Sequence, residues 1–83
     1  MVQQVLRSAT GMAANYRAAG RSRSKAEFVA KMGVVVEEAD ETVFWLEMLI
    51  DSGLVSAKKL DKLHSEANEL LAIFAASRGT ARG

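Results

Sequence analysis

The sequence predicts an all-α protein, an antiparallel bundle of three helices that oligomerisation completes or extends. Apolar residues recur at the three- and four-residue spacing of helices along the whole chain, and no strand pattern interrupts them. A helix-capping sequence, Ser-Lys-Ala-Glu, stands at residues 24–27. The predicted helices are joined by short connections, which favour antiparallel neighbours in a bundle.

The first helix is predicted over residues 2–19. Its apolar residues lie at helical spacing and form one stripe along its length. They are Val2, Val5, Leu6, Ala9, Met12, Ala13 and Tyr16. Gly20 follows as the expected left-handed residue that ends the helix, since glycine adopts that conformation freely.

The second helix is predicted over residues 24–51. The Ser24 side chain is expected to accept a hydrogen bond from the Glu27 backbone, and the Glu27 side chain to reach back. Ser52 and Gly53 end the helix. One apolar row contains Phe28, Met32, Val35, Ala39, Thr42, Leu46 and Leu49, and a neighbouring row contains Val29, Val36, Val43 and Ile50. Together the two rows make a face broad enough to contact two partner helices.

The third helix is predicted over residues 56–77, with Ser56 as its N-cap. Its apolar positions again follow a heptad: Leu60, Leu63, Ala67, Leu70 and Phe74. The polar, glycine-containing segment 78–83 is expected to be a frayed tail. Residues 1–77 therefore form a single helical domain.

Size and composition exclude several classes of protein. The chain has 83 residues and no cysteine, so it has no disulfide framework and no thiol chemistry. A domain this small has a marginal core, which oligomerisation commonly supplements. No apolar run approaches the length of a membrane span, and the first ten residues lack the apolar region of a signal peptide. We therefore expect a cytoplasmic protein with no membrane partner.

The second helix carries more apolar residues than one bundle face needs. Val34, Phe44, Trp45 and Met48 lie on the side opposite the Phe28 row. Exposed apolar patches of this kind mark interfaces, and tryptophan often anchors them. We expect these four residues to join subunits of a homo-oligomer; the alternative is that a bent third helix covers them.

Charge is unevenly distributed along a chain whose net charge is only +1. Residues 1–25 carry five bases and no acid, whereas residues 26–54 carry seven acids and one base. The basic turn contains Arg17, Arg21, Arg23 and Lys25 around flexible glycine and serine. Such a turn, beside a helix N-terminus, is suited to phosphate contacts. The alternative is a solvated turn whose bases pair with acids of the second helix.

Other charged residues indicate structure rather than catalysis. Across the first two helices, Glu38 or Glu41 is expected to pair with Arg7 or Arg17. The acidic set of residues 37–41 lacks the Glu-x-x-His pairs of a di-iron bundle. His64 lies at the edge of an apolar stripe, and no motif supplies it with a nucleophile. The sequence predicts no catalytic residues, no metal site and no cofactor, and hence no enzyme.

An ordered set of motifs resembles a known family. The segments are Arg7–Thr10, Asn15, Arg21–Ser24, Ala26–Phe28, Glu38–Thr42 and Phe44–Glu47. Over about residues 3–75 they are similar to the four helix bundle proteins, also called 23S rRNA-intervening-sequence proteins. The resemblance implies a bundle fold and homo-oligomers. Members of that family usually carry a further helix at the N-terminus, so this chain resembles a three-helix or trimmed version.

The resemblance also implies two kinds of function. Related accessory proteins of diversity-generating retroelements are basic rings that bind nucleic acid and a reverse transcriptase. A non-enzymatic oligomer that binds structured RNA or DNA through its basic turn is therefore our first hypothesis. The alternative is a protein–protein adaptor that uses its acidic helix and apolar patch and has no nucleic-acid role, since the net charge of +1 departs from that basic character.

Overall fold

The computed structural model describes residues 1–53 and 56–83 and contains three long helices. Helix α1 spans Val2–Ala19, α2 spans Lys25–Ser52 and α3 spans Ala57–Arg82. Among the described residues there is no strand, so the predicted all-α class is confirmed. The helices run in alternating directions, and α2 lies between the other two.

The three helices form a single layer. The molecule measures 44 × 21 × 13 Å, so its thickness is close to the diameter of one helix. Helix α2 packs against both neighbours, but within the described residues no Cα atom of α1 lies within 8 Å of one of α3. The layer therefore leaves two broad faces of α2 without a covering helix.

The core follows the apolar row of α2 that contains Met32. One buried cluster consists of Ala19, Met32, Val35, Ala39 and Phe74, and a second consists of Leu46, Leu49 and Leu60. Two polar residues, Ser8 and Thr42, are also buried in the contact between α1 and α2. The α2 residues in both clusters belong to the row predicted from the heptad, because that row lies on the side of α2 where α1 and α3 both pack.

The ends of α2 match their local signals. The Glu27 backbone N–H donates to Ser24 Oγ over 3.1 Å, and Glu27 Oε2 accepts from the Arg23 N–H at 3.3 Å. At the other end Gly53 has a φ of 69°, the left-handed conformation that glycine adopts without a steric penalty. Both ends are set by neighbouring residues, which is why sequence alone predicts them.

Three local predictions are corrected. Gly20 ends α1 in the right-handed region, with φ −63°, because its N–H still bonds to the Tyr16 carbonyl. Ser56 precedes α3 but makes no side-chain capping bond. The expected frayed tail after residue 77 is instead helical as far as Arg82, because Arg78 packs against α2.

Candidate functional site

The basic turn lies at one end of the layer, where α1 ends and α2 begins. Arg17, Arg21, Arg23 and Lys25 are all exposed. Their side chains make no ion pair within the described part of the chain. The alternative expectation, that these bases pair with acids of the second helix, therefore does not describe this structure. The four cations remain accessible to a partner.

Two more arginines reach the same end from the C-terminus of α3. Arg78 Nε donates to the Val29 carbonyl oxygen over 3.3 Å, and its guanidinium lies over Gly33. Arg82 lines a shallow hollow with Lys25 and Val29. These contacts place the α3 arginines beside the basic turn. We call the six cations together the basic end: Arg17, Arg21, Arg23, Lys25, Arg78 and Arg82.

Glu27 is the only acid in segments 17–31 and 78–83. Its carboxylate pairs with Lys31 Nζ at 3.1 Å and accepts the Arg23 N–H. These hydrogen bonds, the one from Lys31 first, hold the pKa of Glu27 below its ordinary value. Since Glu27 is committed to Lys31 and to the helix cap, it does not neutralise the basic end.

A second surface is the solvent-exposed stripe of α2 on one side of the layer. Its residues step by three and four along the helix: Val34, Glu37, Glu41, Phe44, Met48 and Asp51. Val34, Phe44 and Met48 are 39%, 50% and 41% exposed. Trp45 stands at the edge of the stripe, half-buried, with its ring edge-on to Phe44 at 5.0 Å. We call this surface the acidic–apolar face.

The contact between α1 and α2 beside this face contains the residues predicted to form ion pairs. Arg7 pairs with Glu41, whose Oε1 also lies 3.4 Å from the Trp45 indole nitrogen. Glu38 makes no ion pair among the described residues; its Oε2 is buried without a partner. A Cβ on Gly11 would stand 2.9 Å from that oxygen. Glu38 therefore occupies the space that the glycine leaves.

The third surface is an apolar groove on the other side of the layer. It has a volume of about 210 Å³ and is lined by residues of all three helices. They are Val5, Ala9, Met12, Ala39, Thr42, Leu46, Leu63, Glu66, Ala67 and Leu70. Val2, Leu6 and Ile73 are exposed on the flanking helices. A groove bordered by three helices is the kind of surface against which a further helix packs in bundles.

The sequence did not predict this groove. Tyr16 belongs to the apolar stripe predicted for the first helix, but it is 54% exposed, with its ring 5.1 Å from that of Phe74. The signal was present in the width of the α1 stripe, which includes both Val5 and Leu6. A stripe of that width faces more than one neighbour, but sequence does not say which neighbours are present.

His64 joins α3 to α2. Its Nε2 lies 2.9 Å from Glu47 Oε1 and 3.2 Å from Asn68 Nδ2. Across residues 1–53 and 56–83 no three metal-ligating side chains form a group that could hold an ion. In the same residues no helix is long and apolar enough to cross a membrane. The basic end, the acidic–apolar face and the apolar groove are the candidate functional surfaces.

The fold and these surfaces define an all-α helical protein whose helices present open faces. The chain belongs to the 23S rRNA-intervening sequence protein family, whose model matches residues 1–76, and the resemblance drawn from the sequence is confirmed. The chain is also similar to a protein of unknown function from the S23 ribosomal protein family of Bacteroides thetaiotaomicron VPI-5482. That crystal structure shares 30% identity and a TM-score of 0.86, over 92% of this chain and 70% of that one. The comparison with curated proteins gives no match.

Proposed function

We propose that this protein is a non-catalytic oligomer that binds the phosphate backbone of structured RNA or DNA through its basic end. The observation that carries the proposal is the convergence of six cations from α1, α2 and α3. The one acid among them is already bonded to Lys31. A cluster of exposed arginine and lysine without neighbouring acids is the electrostatic footprint of a phosphate-binding surface.

The chemistry of the basic end favours contacts to phosphate rather than to bases. Segment 17–25 contains no aromatic residue on which a base could stack, and the ring of the preceding Tyr16 already packs against Phe74 at 5.1 Å. Arg78 is partly committed to the Val29 carbonyl, so its remaining donors point from a fixed position. Arginine forks match phosphate oxygens in geometry. The expected binding is salt-dependent and weakly selective for sequence.

The test is a salt titration of binding to an RNA hairpin and to a DNA duplex. Arg21→Ala/Arg23→Ala is compared with Lys58→Ala/Lys59→Ala, which removes the same charge from exposed positions at the opposite end. Each lost phosphate contact lowers the slope of log K against log salt by about 0.9 on duplex DNA, so the arginine variant should lose roughly 2. The lysine variant should keep the native slope. No binding at low salt, or equal losses in both variants, would refute the proposal.

Self-association is the second part of the proposal, and we assign it to the groove. Two large side chains that line it, Leu63 and Leu70, are exposed. Contiguous apolar surface on a small domain usually marks an interface. A second copy covering the groove would add the buried area that the single layer lacks, and it would repeat the basic end on one particle.

An adaptor role remains the second candidate function, and one observation favours it. The acidic–apolar face has the wrong charge for phosphate, yet it exposes Val34, Phe44 and Met48. A protein partner suits that surface better than a nucleic acid does. The two roles use different sides of the molecule and do not compete.

A further inference from the structure

The acidic–apolar face has a charge pattern that the fold itself does not require. After Lys31, α2 contains no base, but it carries six acids between residues 37 and 51. Glu41 forms an ion pair with Arg7, and Glu47 contacts the His64 ring. Glu37 and Asp51 on this face, and Asp40 beside it, are exposed and have no ionic partner among the described residues.

This pattern costs the isolated helix stability in two ways. Acids three or four residues apart, such as Glu37 and Glu41, repel each other along one side of a helix. Asp51 also lies in the last turn of α2, where the helix dipole disfavours an acid, and no base stands there to offset it. A cationic partner lying along the stripe would relieve both costs.

The apolar residues determine the shape of that partner. Val34, Phe44 and Met48 lie on one side of the helix, with Phe44 and Met48 between the unpaired Asp40 and Asp51. From Val34 to Asp51 the stripe is about 26 Å long at 1.5 Å per residue, the length of some five helical turns. We propose that this face is the docking site for a basic amphipathic helix of a partner protein. Its apolar side covers Phe44 and Met48, and its lysines and arginines reach Glu37, Asp40 and Asp51.

Charge argues against two other occupants. A two-fold contact between copies of this face would set acids of one copy against acids of the other, and like charges across an interface are costly. A nucleic acid would meet the same repulsion from its phosphates. A cationic amphipathic helix complements both the acids and the apolar residues of this face.

The chain contains its own reporter of this contact. Trp45 is the only tryptophan, and its ring meets that of Phe44 at 5.0 Å. Its emission can therefore be followed while the full protein is titrated with an 18-residue peptide of leucine and lysine at helical spacing. A peptide with glutamate at every lysine position has the same apolar pattern and is the matched probe.

We expect the lysine peptide to shift Trp45 emission saturably and the glutamate peptide to leave it unchanged. Glu37→Lys/Asp40→Lys should weaken binding of the lysine peptide about tenfold, because two charge pairs become repulsive. Phe44→Ala should weaken it by a comparable factor. Glu69→Lys reverses an exposed acid of α3 that lines neither the groove nor the acidic–apolar face, and it should change the affinity less than about twofold.

Four outcomes would overturn this assignment. Three are equal binding of both peptides, native affinity in Glu37→Lys/Asp40→Lys, and an equal loss in the α3 variant. A fourth is a change in the protein's own mass with Phe44→Ala, which would place a second copy on this face. Circular dichroism shows that each variant keeps its helices. None of these results depends on RNA or DNA binding.

Discussion

The Thr42 hydroxyl donates a 2.8 Å hydrogen bond to the Ser8 hydroxyl, and this pair links α2 to α1 inside the buried contact. Ser8 in turn donates to the Gln4 carbonyl oxygen at 2.9 Å. The Glu38 carbonyl is a second acceptor 2.8 Å from Thr42 Oγ1. The two partners are therefore unequal. Without Ser8, Thr42 can still donate to the Glu38 carbonyl, whereas without Thr42 the Ser8 oxygen has no donor among the described residues.

We expect the two single replacements to have different effects. Thr42→Val should lower the free energy of unfolding by about 1 kcal/mol, since the Ser8 oxygen loses its donor. Ser8→Ala should cost less than about 0.5 kcal/mol, because Thr42 turns to the Glu38 carbonyl. The double variant should be less destabilised than the sum of the two. Urea unfolding measures all three.

The exposed pair Thr10→Val and Ser65→Ala is the control for intrinsic helix propensity, because both positions lie on helix surfaces. Their effects are subtracted from those of the buried variants. Strict additivity of Ser8→Ala and Thr42→Val would contradict the coupling inferred from the 2.8 Å contact.

The Thr42 position also shows what sequence can and cannot predict. Its place in the heptad with Leu46 was readable from spacing, and so was the capped start of α2 at Ser24. These features depend on residues within one helical turn. Spacing shows which side of a helix is apolar, but the Ser8 partner lies 34 residues away and leaves no local signal.

The features that the sequence did not predict also depend on contacts between residues far apart in the chain. Segment 78–83 is polar and reads as a tail, but Arg78 finds the Val29 carbonyl on another helix. Tyr16 fits an apolar stripe, yet no third neighbour covers it. Of the candidate site, the basic turn and the exposure of Val34, Phe44 and Met48 were predictable. The contribution of α3 to the basic end and the groove needed the arrangement of the helices.

The Glu27 cap predicts a pH dependence. Because its pKa is lowered on folding, the native state binds fewer protons than the unfolded state in the acid range. The stabilisation is complete above the ordinary carboxylate pKa and is lost as pH falls through the lowered value. Glu27→Gln should therefore have a lower melting temperature than the native protein at pH 7. The two melting temperatures should converge in strong acid. Thermal unfolding across a range of pH measures both.

Ser24→Ala provides the control for that experiment. The serine hydroxyl accepts from the Glu27 N–H and does not titrate. Its loss should cost about 1 kcal/mol at neutral pH, as for other N-caps. Part of this cost should persist in acid. If Glu27→Gln lowers the melting temperature by the same amount at every pH, the charge of the carboxylate does not contribute to stability.

Gly11 is a site where a larger residue should stabilise the protein. A Cβ would meet Glu38 Oε2 at 2.9 Å, but that atom is the end of a flexible side chain and has no partner to lose. Gly11→Ala should raise the free energy of unfolding by roughly 0.5–1 kcal/mol, the gain in helix propensity. A lower melting temperature would mean that the Glu38 carboxylate is held more firmly than its contacts indicate.

Arg78 should stabilise the end of α3. Arg78→Ala removes the bond to the Val29 carbonyl and uncovers Gly33, and we expect it to lower the free energy of unfolding by about 1 kcal/mol. Arg82→Ala, four residues later and exposed, should cost less than about 0.3 kcal/mol. If both variants lower the free energy of urea unfolding by the same amount, residues 78–82 are a frayed tail, as the sequence predicted.

The two open sides of the layer make different predictions for mass in solution. Leu63→Glu/Leu70→Glu places acids in the groove at side chains that are 51% and 38% exposed, so the single chain should keep its fold. If the groove joins copies, light scattering should show a fall to the 9.0 kDa monomer. Val34→Glu/Met48→Glu makes the same change on the acidic–apolar face and should keep the native mass. If only Val34→Glu/Met48→Glu lowers the mass, self-association belongs to the surface that contains Val34, Trp45 and Met48. A native protein with a mass of 9.0 kDa would contradict self-association through either surface.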